Sequence, residues 1–288
     1  MKSRTDCVYC YLKQAINCME HAGVPEQDQY PVLYSLMDVI RELDTGRSPC
    51  HNSTLTIRRT YEMIGCRDPF EDEKACSNRL ALELLPLAEE YITRNPDPLY
   101  AAFKVASAGN IIDMGIMKGY DIEHTLRETL CKDFSVDHYG LFMEKLKDAD
   151  TVLYLGDNSG EIVFDTLAVR ELKKMGKQVW YAVKSVPILN DAMMEDALSV
   201  GMDAHARVIE TGSAFMGVNT ADSSREFLEL FNGCDIILSK GQANFESLDD
   251  DATCIDRTFF IMKIKCDKVM ETIPGSGFGD SVFYHCGG

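Results

Sequence analysis

Four side chains in the second half of this 288-residue chain have the types and placements needed to hold a hard cation beside a fixed positive charge: Asp157, Asn158, Asp191 and Lys240. The first two lie in T-V-L-Y-L-G-D-N-S-G-E-I-V-F-D, residues 151–165. Thr151 to Leu155 predicts a short buried strand that Gly156 ends. Asn158 and Glu161 have capping-box spacing, and the apolar Ile162, Val163 and Phe164 behind them predict a helix to about Met175. Such strand-turn-helix units place ligands at the carboxyl ends of strands in open α/β sheets. Two adjacent oxygen-bearing side chains there suit a hard cation. A plainer role fits the same residues, with Asn158 capping the helix and Asp157 favouring its positive end, and this stretch alone does not choose.

The pattern recurs downstream. A strand over 178–183 runs into Lys184-Ser-Val-Pro-Ile-Leu-Asn-Asp191, and one over 235–239 runs into Ser239-Lys-Gly-Gln-Ala-Asn-Phe-Glu246. Three strand ends would thus deliver Asp157-Asn158, Asp191 and Lys240 to one sheet edge. A cation beside a lysine is what a phosphorylated substrate requires. Taken singly, Asp191 also reads as a helix cap and Lys240 as a solvated charge.

The elements that must position these residues divide the chain near 149. Residues 1–149 read as helices: 7–21, 31–43, 54–64, 71–93, 98–117 and 122–131 carry apolar residues at three-to-four spacing. Residues 150–288 alternate strands (151–155, 178–183, 206–210, 235–239, 259–265) with helices (162–175, 192–200, 223–231), which predicts an α/β domain with a doubly wound, mostly parallel sheet. Two features of the helical half carry chemistry-bearing residues. Cys7-Val8-Tyr9-Cys10 is half a zinc site or a redox pair, with Cys18, Cys50, His51, Cys66 and Cys76 as completing ligands, or else a pair of helix-packing thiols. Ser107-Ala-Gly-Asn-Ile-Ile-Asp113 places Asn110 and Asp113 one helical turn apart, among small residues that let another backbone approach.

Composition narrows the class. A formal net charge of -17 repels a phosphate backbone, which disfavours nucleic-acid binding. No apolar run approaches the roughly 18 residues of a membrane span, and the first residues hold no hydrophobic signal core. Cytoplasm is the expected compartment, and the 11 scattered cysteines are expected to stay reduced. Rival motifs fail: no Walker A or G-x-S-x-G occurs, Gly275-Ser-Gly-Phe-Gly279 has no helix after it, and Asp157-Asn158-Ser159 lacks the second aspartate of haloacid-dehalogenase-type phosphatases.

Four ordered stretches, Ala108–Asp113, Gly156–Asp165, Pro187–Ala192 and Ser239–Leu248, resemble those of the metal-dependent damage-control phosphatases, the ARMT-like family. Cys7-Val-Tyr-Cys10 and Lys265-Cys266 resemble marks of its archaeal and bacterial subfamily, so the resemblance spans nearly the whole chain. It implies a Rossmann-like α/β/α sandwich behind an all-α domain. It also implies one divalent ion per chain (manganese, nickel, cobalt or magnesium) on Asp157, Asn158 and Asp191, with Lys240 binding phosphate. Asn110, Asp113 and Glu161 are then expected to line the pocket or support the ligands. The substrates implied are small phosphorylated metabolites, such as sugar phosphates or damaged nucleotides. Ser159, Met193 and Ala243 depart from the family's alanine, threonine and glycine, which bears on substrate fit. Two other classes stay open. One is a Rossmann-like S-adenosylmethionine methyltransferase with Gly156 and Gly160 near the cofactor; the other is a non-enzymatic module centred on Cys7 and Cys10.

Overall fold

Capping residues and prolines set where the leading helices begin. The computed structural model describes residues 1–109, 112 and 121–287. Its first helices are α1 (Cys7–His21), α2 (Glu26–Arg41), α3 (Pro49–Ile64), α4 (Glu71–Arg94), α5 (Pro98–Ala108), α6 (Ile122–Leu130) and α7 (Tyr139–Asp148). Ser48 accepts from His51 N at 3.3 Å ahead of α3, and Asp97 accepts from Tyr100 N at 3.0 Å ahead of α5. Pro49 and Pro98 occupy the first helical positions, where no N–H is needed. Two starts differ from expectation. Helix α2 begins at Glu26 rather than Pro31, with Glu26 and Asp28 at its positive end, and it carries Pro31 inside. Helix α3 begins at Pro49 rather than Thr54. Helix α7 was not anticipated.

The second half alternates β1 (Thr151–Leu155), α8 (Glu161–Lys174), β2 (Gln178–Val183), α9 (Met194–Ser199), β3 (Arg207–Glu210), α10 (Arg225–Gly233), β4 (Ile236–Lys240), α11 (Gln242–Leu248), β5 (Thr258–Lys263), α12 (Asp267–Thr272) and β6 (Ser281–Tyr284). These strands form one six-stranded sheet in the order β3-β2-β1-β4-β5-β6. All neighbours are parallel except β5 and β6. This is the expected α/β architecture with a mostly parallel sheet. Strand order reverses between β1 and β4, and the crevice at their carboxyl ends is where open α/β sheets bind ligands.

Alternation along each strand covers both faces. Val152, Tyr154, Leu238 and Phe259 share a core with Phe103 of α5 and Phe142 of α7. Leu153, Leu155, Ile237 and Phe260 face Phe227 and Phe231 of α10 and Phe245 of α11. A smaller cluster of Cys18, Cys50, Ile57 and Tyr61 meets Ile188 and Met216, which ties α1 and α3 to the loops after β2 and β3. No helix among the described residues is long and apolar enough to cross a membrane.

Candidate functional site

The loop after β1 is shaped by its glycines. A Cβ on Gly156 would stand 2.6 Å from the Tyr181 hydroxyl, so only glycine turns there. Gly160, at φ 78°, is the residue ahead of α8, and the helix begins at Glu161. Asn158 is therefore not its cap. Its amide nitrogen donates instead to Glu161 Oε1 at 3.1 Å, so the capping-box spacing is used side chain to side chain. That bond turns Asn158 Oδ1 away from Glu161, and Oδ1 accepts no hydrogen bond among the described residues.

The loop after β2 is stitched to this one through backbone. Ala192 N donates to Asp157 O at 2.8 Å and Ser159 N to Asn190 O at 2.9 Å, while Asn158 and Asp191 form an antiparallel bridge. Asp157, Asn158 and Asp191 are thereby brought side by side. Burial pushes the Asp157 carboxyl well above the usual range, and Glu161 and Asp191 push it further, against the pull of Lys265 and Lys240. Asp191 is raised to about 6 by burial, opposed by Lys184 and reinforced by Glu161. Lys184 Nζ lies 3.7 Å from Asp191 Oδ2, too far to bond, and that buried oxygen has no hydrogen-bond partner among the described residues. Two carboxylates and an amide oxygen, crowded and partly unpaired, match the donor set of a hard divalent cation.

Lys240 is the last residue of β4 and is 1% exposed, so it is not a solvated charge. Its Nζ donates to Glu161 Oε2 at 2.9 Å, Ala106 O at 3.0 Å and Asp165 Oδ1 at 3.2 Å. Burial alone would lower the ammonium's pKa, but Asp165 and Glu161 more than offset it and leave it raised. Asp165 in turn accepts from the Tyr154 and Tyr181 hydroxyls, each at 2.7 Å. Glycines let these groups meet. A Cβ on Gly109 would stand 2.8 Å from Glu161 Cγ, and one on Gly241, at φ 80°, would collide with the Asp157 carboxylate.

Of the residues singled out in the sequence, Asp157, Asn158, Glu161, Asp191 and Lys240 converge here, whereas Asn110 and Asp113 lie outside the described residues. Cys7 is half-buried and Cys10 exposed in the first turn of α1, away from the core that buries Cys18 and Cys50, and all 11 cysteines are unpaired. Burial pushes the Cys18 and Cys50 thiols up to about 12, which disfavours their thiolate forms. Among the described residues no group of three or more His, Cys, Asp or Glu side chains could hold a metal ion. The set at Asp157 falls outside that description because its third donor is an amide.

Sequence reasoning passed over four residues of the site. Asp165 is part of the α8 periodicity, and nothing in the sequence marked it as a lysine's partner. Asn244 Nδ2 donates to Lys240 O at 2.7 Å and Gly156 O at 3.1 Å, tying two strand ends together. Lys184 begins the loop that ends in Asp191. Lys265, two residues past β5 at the same sheet edge, is exposed, and its charge acts on Asp157. Its backbone N is held by Gln242 Oε1 at 2.9 Å, and among the described residues its ammonium has no ion-pair partner.

A family model described as the damage-control phosphatase ARMT1-like domain matches residues 3–279. A damage-control phosphatase of Pyrococcus horikoshii is 30% identical over 277 residues, covering 95% of this chain and 94% of its own. One from Archaeoglobus fulgidus is 32% identical over 235 residues, 81% of each. The crystal structure of a DUF89 family protein from P. horikoshii superposes with a TM-score of 0.88 at 28% identity, covering 99% of both chains.

Proposed function

Because the chain belongs to the damage-control phosphatase ARMT1-like family, we propose that it is a divalent-cation-dependent phosphatase of small phosphorylated metabolites, with Asp157, Asn158 and Asp191 holding the cation. The family relation supports phosphatase chemistry and a metabolite-repair role. The observation that carries the metal reading is the buried Asp191 Oδ2, which accepts no hydrogen bond among the described residues and has only Lys184 at 3.7 Å, beside the raised Asp157 carboxyl. Crowded acidic groups of this kind are stabilised in their ionised form by a cation.

When bound, the cation supplies Lewis-acid polarisation of a phosphoryl oxygen. The chain's own residues do the rest. Asp157 and Asp191 provide anionic oxygens, and Asn158 provides Oδ1, held in place by its bond to Glu161. Lys240 spends all three N–H donors on Glu161, Asp165 and Ala106 O, so it orients Glu161 rather than reaching a phosphate. Lys265 is exposed, has no ion-pair partner among the described residues and acts by its charge on Asp157, so it is the side chain proposed to meet the substrate phosphoryl group and stabilise charge as the leaving oxygen departs.

A screen of sugar phosphates, nucleotides and other small phosphate esters with manganese, nickel, cobalt and magnesium tests this. Release of inorganic phosphate from at least one ester, dependent on one of these metals, is expected. Absence of release from the whole panel with a folded protein contradicts it. S-adenosylmethionine, titrated calorimetrically, is expected to give no binding heat.

A further inference from the structure

Helix α4 belongs to the helical half of the chain, yet one of its faces reaches the metal-ligand loops. Lys74, Ser77 and Asn78 lie three and four residues apart and are all buried. Asn78, 6% exposed, accepts at Oδ1 from Gly160 N at 2.7 Å and donates from Nδ2 to Asp196 Oδ1 at 2.7 Å. Asp196 uses its other oxygen to accept from Met193 N at 2.9 Å. Gly160 ends the loop that carries Asp157 and Asn158, and Met193 follows the loop that carries Asp191. The chain Gly160–Asn78–Asp196–Met193 thus links the two loops in addition to their backbone pairing.

The amide satisfies both bonds at once, accepting from one neighbour and donating to the other. Contact is tight: a Cβ on Gly160 would stand 3.1 Å from Ser77 Cβ. We propose that Asn78 is a positioning residue of the metal site, setting the separation of the Asp157-Asn158 and Asp191 donors through Gly160 and Asp196. It touches neither metal nor substrate. This inference rests on the metal reading above.

Calorimetric titration with Mn2+ of the chelator-treated full chain tests both ideas separately. Asn78→Ala is expected to weaken Mn2+ binding roughly 10- to 100-fold, as loss of groups that orient metal ligands does. Exchanging donor for acceptor, Asn78→Asp together with Asp196→Asn, preserves charge and both bonds and is expected to restore wild-type affinity. A purely structural role would lower the melting temperature and leave the affinity of the folded protein unchanged. A folded Asn78→Ala protein with wild-type affinity, or a double variant as weak as the single one, overturns the proposal. Should Asn78→Ala not fold, Asn78→Ser is read by the same titration with the same two outcomes. Asp157→Ala is the control: if it binds Mn2+ as wild type does, the metal reading falls and this inference with it. If Asp157→Ala loses binding while Asn78→Ala keeps it, only the inference falls.

Discussion

A lysine has three N–H donors, and at Lys240 all three meet protein acceptors in a buried site, whereas the exposed Lys265 ammonium has none among the described residues. This contrast separates two substitutions that the sequence would treat alike. Lys240→Ala leaves Glu161 and Asp165 buried without their cation, so thermal melting should report a loss of about 3–5 kcal/mol. Lys265→Ala should melt like wild type and lower kcat/KM by about 100-fold, near 3 kcal/mol, the scale of one lost electrostatic donor. Equal melting temperatures for the two variants would contradict the division. The sequence reading placed phosphate on Lys240 and could not show that Glu161, the first residue of α8, accepts one of that ammonium's three hydrogen bonds. Asp157, Asn158 and Asp191 were legible because each follows a strand whose apolar run is unbroken. Asp165 and Asn78 were not, because a polar residue inside a helical period looks the same facing solvent or facing a buried partner.

Turns between elements decide where the site's oxygens stand. Gly241 joins β4 to α11 at φ 80°, and a methyl group there would occupy the space of the Asp157 carboxylate. Gly241→Ala is therefore expected to abolish metal-dependent phosphate release, by about 100-fold or more, given both the strain and the displaced ligand. Activity within a few-fold of wild type would show that Asp157 is not a ligand. Glu246 lies one turn further along α11, where burial raises its carboxyl to about 7, against a hydrogen bond from Gln242. The folded protein then keeps a proton that the unfolded chain releases from about pH 4.5 upward. Stability from this group is full below about pH 4.5 and falls as pH rises to about 7, by a few kcal/mol at most. Glu246→Gln should flatten that slope in urea melts, and an unchanged slope would reassign it. Turn geometry was the least legible level of the sequence. Asn158 at capping-box distance from Glu161 looked like a helix start, but Gly160 supplies the left-handed residue and the amide serves another purpose. The unanticipated α11 and α12 are short helices of seven and six residues, with too few turns to show a period.

Over the whole molecule, helices of the first half share a core with one face of the sheet, since Phe103 and Phe142 pack with Tyr154 and Phe259. That packing follows from hydrophobic strands that need cover on both faces, and the alternation of strands and helices could be read from the sequence while the strand order and the docking of α4 and α5 could not. Cys7 and Cys10 lie in the first turn of α1, within electrostatic reach of Cys266 and Glu246. Cys7→Ser with Cys10→Ser is expected to leave the melt and the turnover within about twofold of wild type, as surface substitutions usually do. Loss of turnover in the folded double variant would give the pair a role in the reaction. The central claim is that the oxygens at the ends of β1 and β2 make phosphate release depend on a divalent cation. It is tested most directly by following p-nitrophenyl phosphate hydrolysis while Mn2+ is returned to chelator-treated wild-type and Asp191→Ala proteins. The account predicts no hydrolysis before addition, saturable recovery in wild type, and recovery displaced to higher Mn2+ in the variant, with both proteins melting cooperatively throughout. Full hydrolysis in the presence of chelator, or superimposable Mn2+ curves for the two proteins, would contradict it.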